Sequence, residues 1–285
     1  MKALSNYISD TFAEKILSFK PVSGGDISSA YRVDTEKGKY FLKVNNAPFA
    51  PDMFRAEQKG LQAIEKTKTI TVPQVHLVDS IEGQAFLLMD YVESKRPDAS
   101  DYQRLGAQLA QLHQCSQADF GFISDNFIGS LHQQNNLHSD WSIFYWFERI
   151  LPQLQLALKS GLIQPNMIPE EAKAISLFRE ISCDVKPSLL HGDLWGGNYL
   201  IATDGTPYLI DPAAYFGHSM VDIAMSRLFG GFGASFYDAY HDIIPKSTHY
   251  DVQIELYQLY YLLVHLNLFG SGYYSSVASI LKRFF

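Results

Sequence analysis

The chain has 285 residues, 47% of them hydrophobic and 19% charged; that share of apolar material excludes a disordered chain, and the length exceeds a single core of about 100–200 residues, which points to two lobes. The formal net charge of -7, from 23 basic and 30 acidic residues, comes without a local basic run and excludes general attraction to nucleic acid or an anionic membrane surface, so an anionic ligand needs a local site. The two cysteines, Cys115 and Cys183, are far apart and lack metal-ligand spacing, which fits a reducing, cytoplasmic compartment and neither a disulfide framework nor a zinc site.

In chain order, MKALSNYISDTFAEK carries no apolar signal core. From Lys20 to Asn45 the pattern predicts a meander: a strand, the Gly24-Gly25 turn, a strand through Tyr31-Arg32-Val33, a turn at Glu36-Lys37-Gly38, and the strand Tyr40 to Val44. Pro51 to Lys66 spaces Phe54, Leu61 and Ile64 as an amphipathic helix that carries Glu57. A hairpin around Glu82-Gly83 follows, and Glu93 to Pro97 reads as a linker, so the boundary is expected near residue 93. Beyond it the patterns are helical: one helix spaced by Leu105, Leu109 and Leu112, then Trp141–Lys159, Pro169–Ile181 and Gln253–Phe269. The aromatic run Trp141, Phe144, Tyr145, Trp146 and Phe147 belongs to the core on its spacing, and LYYLLVHLNLFG is too short and too polar for a membrane span. The exception is 188–212, where short apolar runs are joined by polar, Gly-rich turns.

Those turns place Asp193, Asn198 and Asp211 together. Magnesium takes oxygen ligands and shares them with phosphates, so Asn198 and Asp211 suit it and leave Asp193 to orient an attacking hydroxyl; an Asp, an Asn five residues on and an Asp after a hairpin is the order of the kinase template. Asp and Asn are also ordinary turn residues, and the pair alone is weak; its weight comes from the upstream Lys43 strand and Glu57 helix in kinase order. Glu57 can hold the Lys43 ammonium toward ATP phosphates, and Gly24 and Gly25 allow backbone amides to approach them.

The run HGDLWGGN, the hairpin ending in Asp211-Pro212, Gly217-His218 and Asp222 to Met225, together with GGDIS, FLKVN, FRAEQKGL, LAQLH, DFGF and LFGGF, resembles the fructosamine kinase (ketosamine 3-kinase) family over nearly the whole chain. The resemblance implies an α+β, bilobal protein-kinase-like fold: a small N-lobe, 1–93, with a five-stranded sheet and one helix, and a larger, mainly α-helical C-lobe, 94–285. It implies ATP and Mg2+ as cofactors, Lys43 as the phosphate lysine with Glu57 as its partner, Asp90, Tyr91 and Val92 as the adenine hinge, Asp193 as catalytic base, Asn198 and Asp211 as magnesium ligands, and Trp195 as a wall for the sugar. The implied acceptor is a ketoamine, free or on a glycated protein.

Two positions depart from the family pattern: Gly196 stands where a Ser is usual, and Asp26 where some members have Cys, which removes the basis for a thiol switch. His113 and His218 read as structural, and Asp222 as a brace of the catalytic loop rather than a substrate contact. Another small alcohol of aminoglycoside, choline or homoserine type, and a catalytically silent nucleotide-binding protein, stay open as alternatives, as do the ketoamine preferred and the oligomeric state.

Overall fold

A computed structural model describes residues 2–22, 27–182 and 184–285. Gly24 and Gly25 lie outside the described residues. The chain starts with helix α1 (Lys2–Phe12) and then builds the antiparallel sheet of β1 (Ile16–Pro21), β2 (Ser29–Thr35), β3 (Lys39–Asn45), β4 (Val75–Ile81) and β5 (Gln84–Asp90), in the order β1-β2-β3-β5-β4. Helix α2 (Ala50–Thr67) connects β3 to β4. The β4–β5 turn puts Glu82 and Gly83 at φ of 50° and 78°, the left-handed pair that matches the twist of a tight hairpin.

Alternation along β3 decides what its two faces carry. Leu42 and Val44 join Val33, Phe86 and Leu88 on one face, which α1 covers with Leu4 and Ile8. The other face, with Ala85, Leu87 and Met89, is covered by Ala50 and Phe54 of α2, and Lys43 extends on this side to reach Glu57. The sheet therefore bears two helices where the sequence predicts one. Helix α1 seats on the sheet through Leu4 and Ile8, with Tyr7 and Phe12 packed beside them.

The segment predicted as a linker contains β6 (Ser94–Lys95), which pairs with β10 (Tyr199–Ala202), itself paired with β11 (Pro207–Leu209). The rest is mainly helical: α3 (Ala99–His113); a hairpin of β7 (Asn126–Ile128) and β8 (Leu131–Gln133); α4 (Trp141–Tyr145), a π turn over Trp146–Ile150 and α5 (Leu151–Lys159) in one run; then α6 (Glu171–Ile181). Next come β9 (Ser188–Leu190), the β10–β11 hairpin, β12 (Tyr215–Gly217) paired with β9, α7 (Met220–Leu228), α8 (Ala234–Ile243), α9 (Tyr250–Phe269) and α10 (Tyr274–Phe284). Helix α9 is apolar on nearly every side, with Leu256, Tyr257 and Leu259 to Val264 buried, so it runs through the core rather than along a surface. The core around it also takes in Leu61 and Ile64 of α2 together with Ile70 and Val72, so the far end of α2 is packed into the helical part. Trp141, Phe144, Tyr145 and Trp146 are buried there as their spacing predicts. No helix among the described residues is long and apolar enough to cross a membrane.

Candidate active site

The loop 191–198 leaves β9, which belongs to one small sheet, and enters β10, which belongs to another. Its shape is imposed from below by Asp222, fully buried in the first turn of α7. One carboxylate oxygen accepts the backbone N–H of His191 at 2.7 Å and the other that of Gly192 at 2.9 Å. His113 Nε2 lies 3.1 Å from the same carboxylate, and its Nδ1 is 2.7 Å from the Tyr240 hydroxyl. Tyr261 of α9 donates its hydroxyl to Gly192 O at 2.8 Å. Gly192 has a φ of +83°, and a Cβ there would come within 2.1 Å of Ala213 O; both the conformation and the crossing of the two chain segments require glycine.

His191 ties this loop to the end of β11. Its Nε2 lies 2.8 Å from Ile210 O and its Nδ1 is 3.2 Å from the Asp193 amide, which assigns Nε2 as donor and Nδ1 as acceptor. Burial pushes this imidazole below its ordinary range, consistent with the neutral form. The structure thus adds His191 and Tyr261 to Asp222 as supports of the site. Asp222 is the brace expected from sequence; His191 sits visibly in the HGD run, whereas nothing local marks Tyr261, 69 positions from its partner.

Asp193 is half-buried and closely surrounded. Asn198 Nδ2 donates to Asp193 O at 2.8 Å and to its Oδ2 at 3.1 Å. Burial pushes the Asp193 carboxyl up to about 7; the Asn198 hydrogen bond lowers it and the charge of Asp222 raises it. The Asn198 amide nitrogen is thereby spent on Asp193, and its carbonyl oxygen is the atom left to serve a cation. Asp211 follows β11 at a φ of 56°, a left-handed conformation that Asp tolerates better than most residues. Lys43 Nζ contacts the Asp211 carboxylate and lies 2.8 Å from Glu57 Oε1.

The oxygens of Asn198 and Asp211 fit a hard divalent cation that completes its shell with phosphates and water. The Lys43 ammonium against Asp211 already shows this carboxylate in contact with a cation. Among the described residues no group of three or more His, Cys, Asp or Glu forms a self-contained metal site.

The remaining candidates are placed as follows. The Asp90 carboxylate is 2.7 Å from His76 Nε2 and accepts the Gln74 amide at 3.1 Å, and its own amide donates to Gln74 O at 3.0 Å; its side chain braces the β4–β5 end, with Tyr91 and Val92 following β5. Trp195 is 40% exposed, and its indole lies across Gly197, where a Cβ would come within 2.5 Å of the ring. A Cβ at Gly196 would meet nothing within 4 Å, so a Ser at that position would be accommodated. His218 is buried between Trp141 and Tyr257, with Nδ1 accepting the Met220 amide at 3.1 Å; it and His113 hold elements together within the core.

The sequence profile of the family described as "Fructosamine kinase" matches residues 1–285. The chain is 38% identical over 285 residues to the Arabidopsis thaliana protein named protein-ribulosamine 3-kinase, chloroplastic, covering 95% of this chain and 84% of that one. A crystal structure from Haemophilus somnus, described as a fructosamine-3-kinase, superposes with a TM-score of 0.88 at 28% identity, covering 99% and 96% of the two chains. An aminoglycoside phosphotransferase crystallised with ADP and hygromycin B superposes with a TM-score of 0.65 at 16% identity over 98% of each chain. That similarity is one of fold, and the fold is the α+β, bilobal protein-kinase-like one.

Proposed function

This chain belongs to the fructosamine kinase family, and on that footing we propose that it uses ATP and Mg2+ to phosphorylate a sugar hydroxyl of a ketoamine. The acceptor atom is O3 of a fructosamine- or ribulosamine-type adduct, free or borne on a protein, and the reaction initiates deglycation. The names of the Arabidopsis and Haemophilus relatives support that acceptor class. The observation that carries the reading is a pair of bonded sets, Lys43 between Glu57 and Asp211 and Asn198 on Asp193, joined where the Ile210 amide beside Asp211 donates to Asn198 O at 3.1 Å.

In this reading the lobes 1–93 and 94–285 enclose the nucleotide. Lys43 holds its phosphates with Glu57 fixing the ammonium, the phosphate-loop role expected of Gly24 and Gly25 falls outside the described residues, and the backbone at 90–92 takes the adenine. Asn198 and Asp211 hold Mg2+, which when bound neutralises charge on the phosphate oxygens. Asp193 has one oxygen on Asn198 and the other available to orient the acceptor hydroxyl and take its proton, and its proton affinity near neutrality suits that role. Phosphoryl transfer asks little covalent chemistry of the protein, so these residues act by positioning and charge. The Trp195 indole forms a wall for the apolar face of the sugar. The cytoplasm is the proposed compartment.

The test is an ADP-release screen of the purified chain over fructose and ribose adducts of lysine beside aminoglycosides, choline and homoserine. Turnover that requires the ketoamine is expected. Turnover confined to one of the other alcohols would move the acceptor assignment there, and ATP binding without turnover on any of them would favour a silent nucleotide-binding protein.

A further inference from the structure

The segment after Asp211 is contacted from three directions. Gly60 of α2 lies against it, where a Cβ would come within 3.1 Å of Pro212 Cγ and 3.4 Å of Ala214 Cβ. The catalytic loop crosses it at Gly192, over Ala213 O. The third contact is polar and buried: the β7–β8 hairpin reaches both alanine carbonyls with side-chain amides. Asn126 Nδ2 donates to Ala214 O at 2.8 Å, Gln133 Nε2 donates to Asn126 Oδ1 at 2.7 Å and lies 3.4 Å from Ala213 O, and Tyr260 of α9 donates to Gln133 Oε1 at 2.5 Å.

All three side chains of this relay are buried, so each polar atom must find a partner inside the protein. The relay has one direction, from the Tyr260 hydroxyl through the Gln133 and Asn126 amides to the carbonyl of Ala214, three residues beyond Asp211. That direction fixes how each amide is turned.

The base of the hairpin is held as firmly as its contacts. The fully buried Arg149 guanidinium donates to Gln134 O and to Asn135 Oδ1, each at 2.6 Å, and lies 3.9 Å from the centre of the Tyr215 ring. On its other side the hairpin meets the start of α2, where Phe127 stacks on Phe49 with ring centres 6.0 Å apart.

We propose that the Tyr260–Gln133–Asn126 relay is a positioning device for Asp211: it fixes Ala213 and Ala214, and through them holds the left-handed Asp211 in register with Asp193 and Asn198. The proposal rests on the reading of Asp211 as a magnesium ligand. The relay's hydrogen bonds run to the Ala214 carbonyl and not to the side chains of Asp193, Asn198 or Asp211. The three residues act through the backbone, as outer partners of metal ligands do, and loss of such partners costs about 10–100-fold in metal affinity.

The experiment uses the full chain with a non-hydrolysable ATP analogue and Mn2+ as a spectroscopic stand-in for Mg2+. Mn2+ affinity by electron paramagnetic resonance, Mg2+ activation of turnover, acceptor KM and Tm are measured for Gln133→Met, Asn126→Leu and Tyr260→Phe. Tyr260→Phe removes a single hydroxyl and is the variant expected to fold in every case. Phe178→Leu, a core change that removes none of the relay's hydrogen bonds, serves as a stability control. The expected result is Mn2+ affinity lowered about tenfold in the two amide variants and less in Tyr260→Phe, with turnover recovered at high Mg2+ and acceptor KM unchanged.

Wild-type Mn2+ affinity in the relay variants would overturn the proposal, as would an equal loss in Phe178→Leu at matched Tm, which would make the effect general loosening. Asp211→Asn in the same assay separates the two claims. If it loses Mn2+ while the relay variants keep it, the relay alone is wrong; if it binds Mn2+ normally, the ligand assignment fails and the relay proposal falls with it.

Discussion

Gly60 and Pro212 are in direct contact, 152 positions apart in sequence, and the contact lies one helical turn from Glu57 on α2 and one residue from Asp211. A Cβ at Gly60 would stand 3.1 Å from Pro212 Cγ. In Gly60→Ala, the gain in helix propensity of about 1 kcal/mol opposes that tight contact, so Tm should change little. Gly60→Leu cannot be accommodated without moving α2 away from Pro212, and should lower kcat/KM for ATP by at least about tenfold while the protein stays folded. Steady-state kinetics beside a thermal melt check both variants, and a fully active Gly60→Leu would contradict the coupling.

Trp195 is the exposed counterpart of the core tryptophans. Trp195→Ala should raise acceptor KM by roughly 10–100-fold, leave KM for ATP unchanged and shift Tm little. Trp146→Ala, at a residue only 1% exposed, should instead cost roughly 3–5 kcal/mol of stability. An early-melting Trp195→Ala with unchanged acceptor KM would refute the sugar wall.

His218 gives the fold an acid sensitivity. Burial, with the nearby His113 charge adding to it, pushes its imidazole from 6.5 down to about 3. Because the folded value is the lower one, the unfolded chain binds the proton first: the contribution is complete above pH 6.5 and is lost as pH falls toward 3. The slope for one such group is about 1.4 kcal/mol per pH unit. Between pH 7.5 and 5.0, urea unfolding should therefore show His218→Gln losing about 2 kcal/mol less than wild type. Equal losses would place the acid sensitivity elsewhere.

What the sequence made legible was local or carried by a motif. The 191–211 run has its turn residues and apolar strands within a short span, Lys43 stands in a short apolar run bounded by turns, and Glu57 stands on a helix with a clear period of 3.6 residues. The β7–β8 hairpin was not legible, because three-residue strands within a polar stretch leave no period to read. The linker reading of Glu93 to Pro97 missed β6, since its partner β10 lies over a hundred positions away. Gly60 against Pro212 and Tyr261 on Gly192 escaped for the same reason: contacts between distant segments place no pattern in either one.

The central claim is that Asp193 orients and deprotonates the acceptor hydroxyl. Its most direct test is single-turnover phosphoryl transfer from radiolabelled ATP to a ketoamine by wild type and Asp193→Asn, with nucleotide affinity measured on the same samples. The account predicts transfer slowed on the order of 10²–10⁴-fold in Asp193→Asn, with nucleotide affinity within about twofold of wild type. Transfer at a near wild-type rate would contradict it.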